Sequence, residues 1–227
     1  MQSPAAPSPA AQTLAVFDLD GTLTWRDTLI PFLAGFALRN PRRLVRLGHL
    51  PGALFRFVAG GRDRGALKGR LIQLVMGGER RAAVDAWAEA WVGAMRGRGL
   101  FRPAALAALE AHRRAGDRLV LLSASPDLYV PQIGRMLGVD LTVCTEVAWR
   151  GDRLDGELVT ENRRGEEKRL CIQALRARFP GLPVAAYGNS ASDLVHLASV
   201  DRPLLVNANA AARRRAARLA VPCAEWR

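Results

Sequence analysis

The sequence predicts an α/β protein: a Rossmann-like parallel sheet core of three α/β/α layers, with a small helical cap inserted after the first strand. From residue 100 onward, short apolar segments alternate with helical ones, the pattern of a parallel sheet covered on both faces. Before it, four helical segments follow one another between glycine or proline breaks. We expect the core at 13–24 and 100–227, the cap at 25–99, and a disordered, Ala/Pro/Ser-rich tail at 1–12.

Start and stop residues bound each predicted element. In the cap, Asp27–Thr28 and Asp63 are N-cap candidates, and Asn40–Pro41 and two glycine pairs are expected to end helices. These signals predict cap helices at 27–39, 42–59, 63–76 and 79–95. After the first strand, which ends by Thr24, the core strands are predicted at 119–122, 141–147, 184–187 and 204–206, with a hairpin at 150–159. The core helices are predicted at 103–115, 128–137, 166–179, 191–198 and 210–219.

Positive charge is concentrated in the cap. The chain of 227 residues has a net charge of +12, and residues 25–99 contain 14 Arg/Lys against five Asp/Glu. Such a segment favours anionic partners, either a phosphorylated small molecule or a lipid phosphate. Residues 41–70 mix eight Arg/Lys with leucine and phenylalanine. This pattern is typical of a helix resting on an anionic membrane, and equally of a cap helix with one packed and one solvated face.

Other compositional features narrow the class of protein. Aromatic residues are few and no nucleic-acid-binding module is recognisable, so we expect no nucleic acid partner. No apolar stretch approaches the roughly 20 residues that span a bilayer. The N-terminal residues do not resemble a signal peptide, and the three cysteines have no metal-binding spacing. We therefore expect a cytoplasmic protein with reduced thiols, at most peripheral to the membrane.

Two aspartates end the first apolar segment. Asp18 and Asp20 are two positions apart, so in an extended strand their side chains point to the same side. Two neighbouring carboxylates repel each other unless a cation lies between them or one of them is protonated. Gly21 then permits a sharp turn. The pattern indicates a metal-assisted carboxylate site, although an Asp-Gly turn at the surface gives the same local sequence.

Two further polar clusters follow apolar strands. They are Ser123–Ala124–Ser125–Pro126 and Gly188–Asn189–Ser190–Ala191–Ser192–Asp193, and Lys168 lies in the first turn of a predicted helix. Because parallel strands end at one edge of a sheet, we expect these groups to meet the two aspartates there. They offer oxygen ligands for Mg²⁺ and donors for an oxyanion. Taken singly, each has an ordinary explanation: Ser123 as a helix cap, Asp193 beside a helix dipole, Lys168 in solvent.

In this order, the motifs resemble those of the haloacid dehalogenase superfamily of Mg²⁺-dependent phosphatases. The four segments are DLDGTLT at 18–24, LLSAS at 121–125, Lys168, and YGNSASD at 187–193. The insert is similar to the cap of the phosphoserine-phosphatase-like branch. Within that branch, the chain looks closest to a group that includes a bacterial phosphatidylglycerophosphate phosphatase.

The resemblance implies catalytic roles for the matching residues. Asp18 would be the nucleophile and form an aspartyl-phosphate, and Asp20 would protonate the leaving oxygen and then activate water. Lys168 would neutralise charge on the phosphate and on the nucleophile, although another gap placement would bring Arg164 to this position. The phosphoryl oxygens would be bound by hydroxyl and backbone groups of Thr22, Ser123 and Ala124.

The resemblance also implies a Mg²⁺ site made by Asp18, the backbone carbonyl of Asp20, Asn189 and Asp193. The family's fourth motif usually begins Gly-Asp, whereas this chain has Gly188–Asn189. A neutral amide weakens Mg²⁺ binding or transfers the work to Asp193. The expected function is hydrolysis of a phosphate monoester; transfer of the phosphoryl group to another acceptor, or a non-catalytic basic module that binds membranes or anions, are the alternatives.

Overall fold

A computed structural model of the protein describes residues 12–49, 51–52, 58 and 63–227. The predicted tail lies almost wholly outside these residues. The main sheet has six strands, all parallel, in the order β3-β2-β1-β6-β7-β8. Its strands are β1 (Leu14–Phe17), β2 (Arg118–Pro126), β3 (Leu141–Thr145), β6 (Val184–Gly188), β7 (Arg202–Val206) and β8 (Cys223–Ala224). The strands β4 (Val147–Arg150) and β5 (Arg153–Leu158) form a separate antiparallel hairpin.

Helices cover both faces of this sheet. They are α1 (Leu29–Arg39), α2 (Arg64–Met76), α3 (Arg81–Gly97), α4 (Pro103–Arg114), α5 (Val130–Leu137), α6 (Glu166–Arg178), α7 (Leu194–Leu197) and α8 (Ala210–Arg218). Alternate residues of β1 belong to different hydrophobic clusters: Leu14 and Val16 pack with residues of α6, α7 and α8, and Ala15 and Phe17 with residues of the other helices. The period-2 direction of strand side chains produces this division. The predicted three-layer α/β/α core is confirmed.

The sheet differs from the prediction at its edges. Strand β2 continues to Pro126, four residues beyond the apolar run, because it pairs with β3 again after a register shift between Leu122 and Pro126. Strand β3 ends at Thr145, and the residues that follow turn away into the hairpin. The short edge strand β8 was not predicted, since two residues carry no periodic signal.

The cap contains three of the four predicted α-helices. Asp63 caps α2 as predicted, accepting hydrogen bonds from the backbone N–H groups of Gly65 and Ala66. The α-helix predicted at 42–59 is wrong over its first half, where Pro41–His49 is a 3-10 helix; most of the second half lies outside the described residues. None of the helices in the described ranges is long and apolar enough to cross a membrane.

The basic 3-10 segment contributes at least one of its cations to the interior of the cap. The Arg43 guanidinium donates to the backbone oxygens of Val75, at 3.3 Å, and Gly77, at 2.9 Å, at the end of α2. It also pairs with Glu79 at 2.5 Å. Carbonyls at a helix C-terminus lack partners within the helix, and a cation there is favourable. Arg43 therefore holds the cap together instead of presenting its charge to a partner.

Aromatic side chains join the cap to the core. The ring of Phe32, in α1, lies 4.5 Å from that of Tyr129, which just precedes α5. Trp91, in α3, packs against both rings, at 5.3 and 5.2 Å. Because these side chains belong to one buried cluster, the cap and the sheet share a hydrophobic core. The division into core and cap at residues 24 and 100 stays a prediction.

The hairpin packs closely against α2. Gly156 has φ +98°, and a Cβ at this position would lie 2.8 Å from the backbone N and Cα of Gln73. Gly69 of α2 faces the same strand, near the carbonyl oxygen of Gly156. Two glycines therefore allow backbone-to-backbone contact between the hairpin and the helix that contributes the cap side of the site described below.

We expect Gly156→Ala to lower the free energy of unfolding by about 1–3 kcal/mol, because the new methyl group meets α2 and the backbone is left strained. Thermal or urea unfolding measures the change. Gly93→Ala, at a helical glycine with nothing within 4 Å of the added Cβ, is the matched control and should be neutral or stabilising. Equal stability of the two variants would contradict the close packing.

Candidate active site

The ends of three neighbouring strands bring the predicted polar clusters together. Strand β1 lies between β2 and β6, with Phe17 opposite Leu121 on one side and Tyr187 on the other. Asp18 follows directly, and its backbone N–H donates to the Tyr187 carbonyl at 3.0 Å. The three clusters therefore emerge at the carboxyl edge of the sheet, where parallel α/β folds place their ligands.

The turn after β1 requires a glycine. Gly21 has φ +81°, and a Cβ there would lie 2.0 Å from the side-chain nitrogen of Asn189. The turn is closed by a hydrogen bond of 3.0 Å from the Thr24 N–H to the Leu19 carbonyl. It returns the chain so that the Asp18 and Asp20 side chains line the same cavity. The Asp-Gly turn and the carboxylate site are thus one structure and not alternatives.

A buried lysine bridges two of the carboxylates. The Lys168 ammonium donates to Asp18 Oδ1 at 2.6 Å and to Asp193 Oδ1 at 2.9 Å, and all three side chains are buried. Burial alone would lower the pKa of Lys168, but the two carboxylates raise it, so the lysine is charged. Burial raises the pKa of Asp18 to about 7 against the effect of Lys168, and the negative charges of Asp193 and Asp20 add to the rise.

Asp193 has both oxygens occupied. Besides Lys168, it accepts hydrogen bonds from the backbone N–H groups of Asn189 and Ser190 and, at 2.6 Å, from the Ser190 hydroxyl. Burial opposes ionisation of this carboxyl, yet Lys168 and the other donors hold its pKa well below the usual range. Asn189 lines the cavity, and its side-chain amide makes no hydrogen bond within the described residues. Asp193 is therefore placed to orient Lys168, and Asn189 is freer to bind a ligand.

The Asp20 carboxylate is fixed by donors from the cap linker and from β2. Its Oδ1 accepts from the Thr28 N–H and hydroxyl at 2.8 and 2.6 Å, and its Oδ2 accepts from the Ser125 hydroxyl at 2.6 Å. The Thr28 hydroxyl is also 2.9 Å from the hydroxyl of fully buried Tyr129. Burial raises the pKa of Asp20 despite these donors. A carboxyl of raised pKa, fixed in one rotamer beside the nucleophile candidate, suits a general acid.

A cavity of about 490 Å³ opens above these groups. Most of the predicted site residues line it: Asp18, Asp20, Ala124, Lys168, Asn189 and Asp193. Thr22 and Ser123 are fully buried and lie behind its wall. The Thr22 hydroxyl donates to Asp18 Oδ2 at 2.9 Å, and the Ser123 hydroxyl accepts from the Ser125 N–H at 3.0 Å. Ser125 lines the cavity, whereas Ser123, which was expected there, does not.

Several lining residues were not among the predicted site residues. Lys68 of α2 reaches across to the core, where its ammonium donates to the Ala124 carbonyl and to Asn162 Oδ1. The two candidates for the cation position are separated by the fold: Lys168 is buried against the carboxylates, and Arg164 is exposed at the cavity wall. Ser125 could have been predicted as a site residue from the sequence, because it belongs to the polar cluster after the apolar run of β2. For Lys68, the sequence offers only the general positive charge of the cap.

The residues of this site fit a Mg²⁺ ion. Asp18 and Asp193 share the single buried ammonium of Lys168, Asp20 lines the same cavity, and the negative charges of Asp193 and Asp20 contribute to the raised pKa of Asp18. A divalent cation would offset this excess of negative charge. Among the described residues, no three His, Cys, Asp or Glu side chains form a ready-made metal cluster. Mg²⁺ does not need one, since it retains waters and binds substrate oxygens beside one or two carboxylates.

The chain is similar to known proteins over most of its length. Residues 15–197 match the family model of haloacid dehalogenase-like hydrolases. The protein CicA of Caulobacter vibrioides is 34% identical over 189 residues, which are 83% of each chain. A probable phosphatase of Mycobacterium tuberculosis is 28% identical over 227 residues, which cover 95% of this chain and 76% of the relative.

A solved structure of phosphoserine phosphatase with an analogue of its phospho-aspartyl intermediate shares the fold. Its TM-score is 0.62 at 15% identity, and the match covers 94% of this chain and 93% of the other. The chain belongs to the haloacid dehalogenase-like hydrolase family. Within that family, its fold is that of the phosphoserine phosphatases of solved structure. The resemblance read from the four motifs is confirmed at this level.

The raised pKa of Asp18 predicts a pH-dependent effect of Asp18→Asn on stability. The pKa of Asp18 is about 7 in the folded protein and 3.8 in the unfolded chain. Because the folded state binds the proton more tightly, the free energy of unfolding of the metal-free protein falls as the pH rises between these two values. The variant avoids this penalty. In EDTA, its melting temperature should therefore gain several degrees on the wild type between pH 5 and pH 8.

The same experiment contains its controls. Mg²⁺ should raise the melting temperature of the wild type more than that of Asp18→Asn, because the variant lacks one carboxylate. Asp85→Asn, at an exposed position of α3, should show neither effect. If the difference in melting temperature between Asp18→Asn and the wild type did not change with pH, the raised pKa of Asp18 would be contradicted.

Proposed function

We propose that the protein hydrolyses a phosphate monoester with Mg²⁺, through an aspartyl-phosphate on Asp18. The main support is the position of the Asp18 carboxylate, which lines the cavity while Lys168 and Thr22 fix its two oxygens at 2.6 and 2.9 Å. A carboxylate held in one orientation at the base of a cavity is prepared for in-line attack on phosphorus. The phospho-aspartyl analogue in the structurally similar phosphoserine phosphatase is consistent with the same chemistry.

Asp18 and Asp20 would carry out the reaction in two steps. In the first step, an Asp18 oxygen forms a bond to phosphorus, the bond from phosphorus to the ester oxygen breaks, and the leaving oxygen takes a proton from Asp20. In the second step, Asp20 takes a proton from water, whose oxygen attacks phosphorus and releases phosphate and the Asp18 carboxylate. The raised pKa of Asp20 suits its first role, and the donors from Thr28 and Ser125 keep its side chain in place.

Charge neutralisation completes the mechanism. Lys168 offsets the charge on Asp18 and on the phosphoryl group, and Asp193 keeps the ammonium aimed at them. The Ser125 side chain and the 124–125 backbone would face the phosphoryl oxygens, with Ser123 fixing the turn from behind. Asp18, the Asp20 carbonyl and Asn189 would hold Mg²⁺, supported by Asp193. When bound, Mg²⁺ supplies positive charge that stabilises the developing charge on the phosphoryl oxygens.

The substrate is expected to be an anionic phosphorylated molecule. A lipid phosphate, peripheral membrane contact and phosphoryl transfer to an alcohol stay predictions from the sequence. Exposed apolar side chains do occur on the first part of the cap, at Trp25, Ile30, Leu38 and Val45. Product analysis in the presence of glycerol or another alcohol distinguishes hydrolysis from transfer, since hydrolysis alone leaves free phosphate as the sole phosphorylated product.

Replacing either catalytic aspartate should abolish most of the turnover. We expect Asp18→Asn to lower kcat by at least roughly a thousandfold, because no nucleophile remains, and Asp20→Asn by about 10²–10⁴-fold, because the leaving oxygen is no longer protonated. Release of phosphate from an aryl phosphate with Mg²⁺ measures both. Asp20→Asn should suffer less with an aryl than with an alkyl ester, since a phenol leaves more readily without a proton. Unchanged activity of Asp18→Asn, with Asp85→Asn as control, would rule out the mechanism.

The neutral ligand at position 189 should weaken Mg²⁺ binding. We expect Asn189→Asp to lower the Mg²⁺ concentration for half-maximal activity on the order of tenfold, because ligand charge count sets affinity for hard cations. The rise in melting temperature with added Mg²⁺ should begin at a correspondingly lower concentration, which provides a readout independent of turnover. Ser192→Asp, which adds the same charge at the cavity wall, is the control for a general electrostatic effect. Identical responses of the two variants would contradict ligation by residue 189.

A further inference from the structure

The outward side of α1 is apolar. Ile30, Ala34 and Leu38 are four residues apart, so they form one stripe along the helix, and all three are exposed. The opposite side, with Phe32 and Phe36, is buried in the hydrophobic core. A helix that is apolar all round is normally covered on every side. The described part of the chain leaves the outer stripe of α1 uncovered, with Ile30 55% exposed and Leu38 75% exposed.

Neighbouring side chains extend this stripe at both ends. Before α1, Trp25 is 42% exposed, and it lines the active-site cavity together with Ile30. After α1, the 3-10 segment contacts the helix and adds Val45, which is 81% exposed. Five of the nine exposed large apolar side chains among the described residues lie between positions 25 and 58, and such clustering marks an interaction surface. We define the α1 surface as Trp25, Ile30, Ala34, Leu38 and Val45.

The charges that this part of the chain carries are all positive. Residues 28–62 contain six arginines and no Asp or Glu. Arg39, whose guanidinium lies 4.7 Å from the centre of the Trp87 ring, and Arg42 are both exposed at the end of α1. Neither arginine forms an ion pair within the described residues, whereas Arg43 is engaged inside the cap by Glu79. The charges of Arg39 and Arg42 are therefore available to an anionic partner.

This combination fits a lipid bilayer better than a second copy of the chain. A two-fold contact would join the α1 surface to itself and bring its arginines opposite one another, with no acid from residues 28–62 between them. A bilayer with anionic lipids suits both properties, because acyl chains accept the apolar stripe and lipid phosphates accept the guanidinium groups. Indole rings such as that of Trp25 are enriched at the boundary between lipid and water. With 11 residues, α1 is too short to cross a bilayer and would lie in the plane of its surface.

We propose that the protein docks on anionic membranes through the α1 surface, with Arg39 and Arg42 against the lipid phosphates. The proposal does not depend on the reaction, since it rests on the exposure and charge of this surface. It does give the active site a location. Because Trp25 and Ile30 are exposed and also line the active-site cavity, docking holds the rim of that cavity at the boundary between lipid and water.

Vesicle binding by the full chain tests the proposal. We expect about tenfold tighter binding to phosphatidylcholine vesicles that contain about one third phosphatidylserine than to pure phosphatidylcholine vesicles, and weaker binding as the salt concentration rises. Brominated lipids should quench the fluorescence of Trp25, the most exposed of the five tryptophans, and Trp25→Phe should remove most of this quenching. Absence of binding to the anionic vesicles, or quenching that persists in Trp25→Phe, overturns the proposal.

Matched variants separate the α1 surface from general electrostatic attraction. Arg42→Glu should weaken binding to the anionic vesicles by about 10- to 30-fold. Arg215→Glu makes the same change of charge on α8, at the opposite face of the sheet, and should have little effect. Leu38→Gln should weaken binding by about tenfold through lost apolar burial, and Leu170→Gln, at an exposed position of α6, is its control. Equal effects within either pair overturn the assignment.

Two measurements without lipid complete the test. The four side chains replaced in the matched variants are exposed and do not line the active-site cavity, so each variant should keep the melting temperature of the wild type. Loss of vesicle binding then reports on the surface and not on folding. Analytical ultracentrifugation should show a monomer. A dimer that Leu38→Gln dissociates, with vesicle binding of that variant unchanged, would show that a second copy covers the α1 surface and would overturn the proposal.

Discussion

The bridge that the Lys168 ammonium makes between Asp18 and Asp193 is the interaction on which the site depends. Two carboxylates and an ammonium, all nearly excluded from solvent, are costly to desolvate, and their attraction repays the cost only when the geometry is good. The geometry here comes from three elements that are distant in sequence: the end of β1, the first turn of α6 and the turn after β6. Loss of the lysine would leave two buried carboxylates facing each other, so the sheet edge and the lysine are mutually dependent.

The hydrophobic core keeps these elements in register. Alternate residues of β1 enter different clusters, so the strand is held from both faces and its end cannot shift without moving both. On the cap side, Tyr129 links packing to chemistry, since its ring packs against Phe32 and Trp91 while its hydroxyl lies 2.9 Å from that of Thr28, which holds Asp20. The general-acid candidate is thereby positioned by the aromatic contact between cap and core.

The sequence predicted the parts of the site that follow from local pattern. Asp18, Asp20 and the Asn189–Asp193 cluster follow apolar strands, and parallel strands bring such ends together whatever the connections between them. Lys68 was not predictable, because its contact with Ala124 depends on how α2 lies over the sheet, which a helical pattern does not specify. Ser123 was expected at the cavity, but it is fully buried and its hydroxyl accepts a hydrogen bond from the Ser125 N–H. The α-helix predicted at 42–59 is wrong at its start. Basic and apolar residues have helical spacing there, but the segment is a 3-10 helix, and Arg43 donates a hydrogen bond to the end of α2.

Charge is arranged in two opposed layers across the cavity. The sheet edge carries Asp18, Asp20 and Asp193, two of them paired with Lys168, and the other lining includes the cations Arg26, Arg64, Lys68 and Arg164 and one acid, Asp27. Asn189 reduces the negative charge of the first layer by one relative to the usual motif. The position of α2, and with it that of Arg64 and Lys68, is set by its close packing on the β4–β5 hairpin at Gly69 and Gly156.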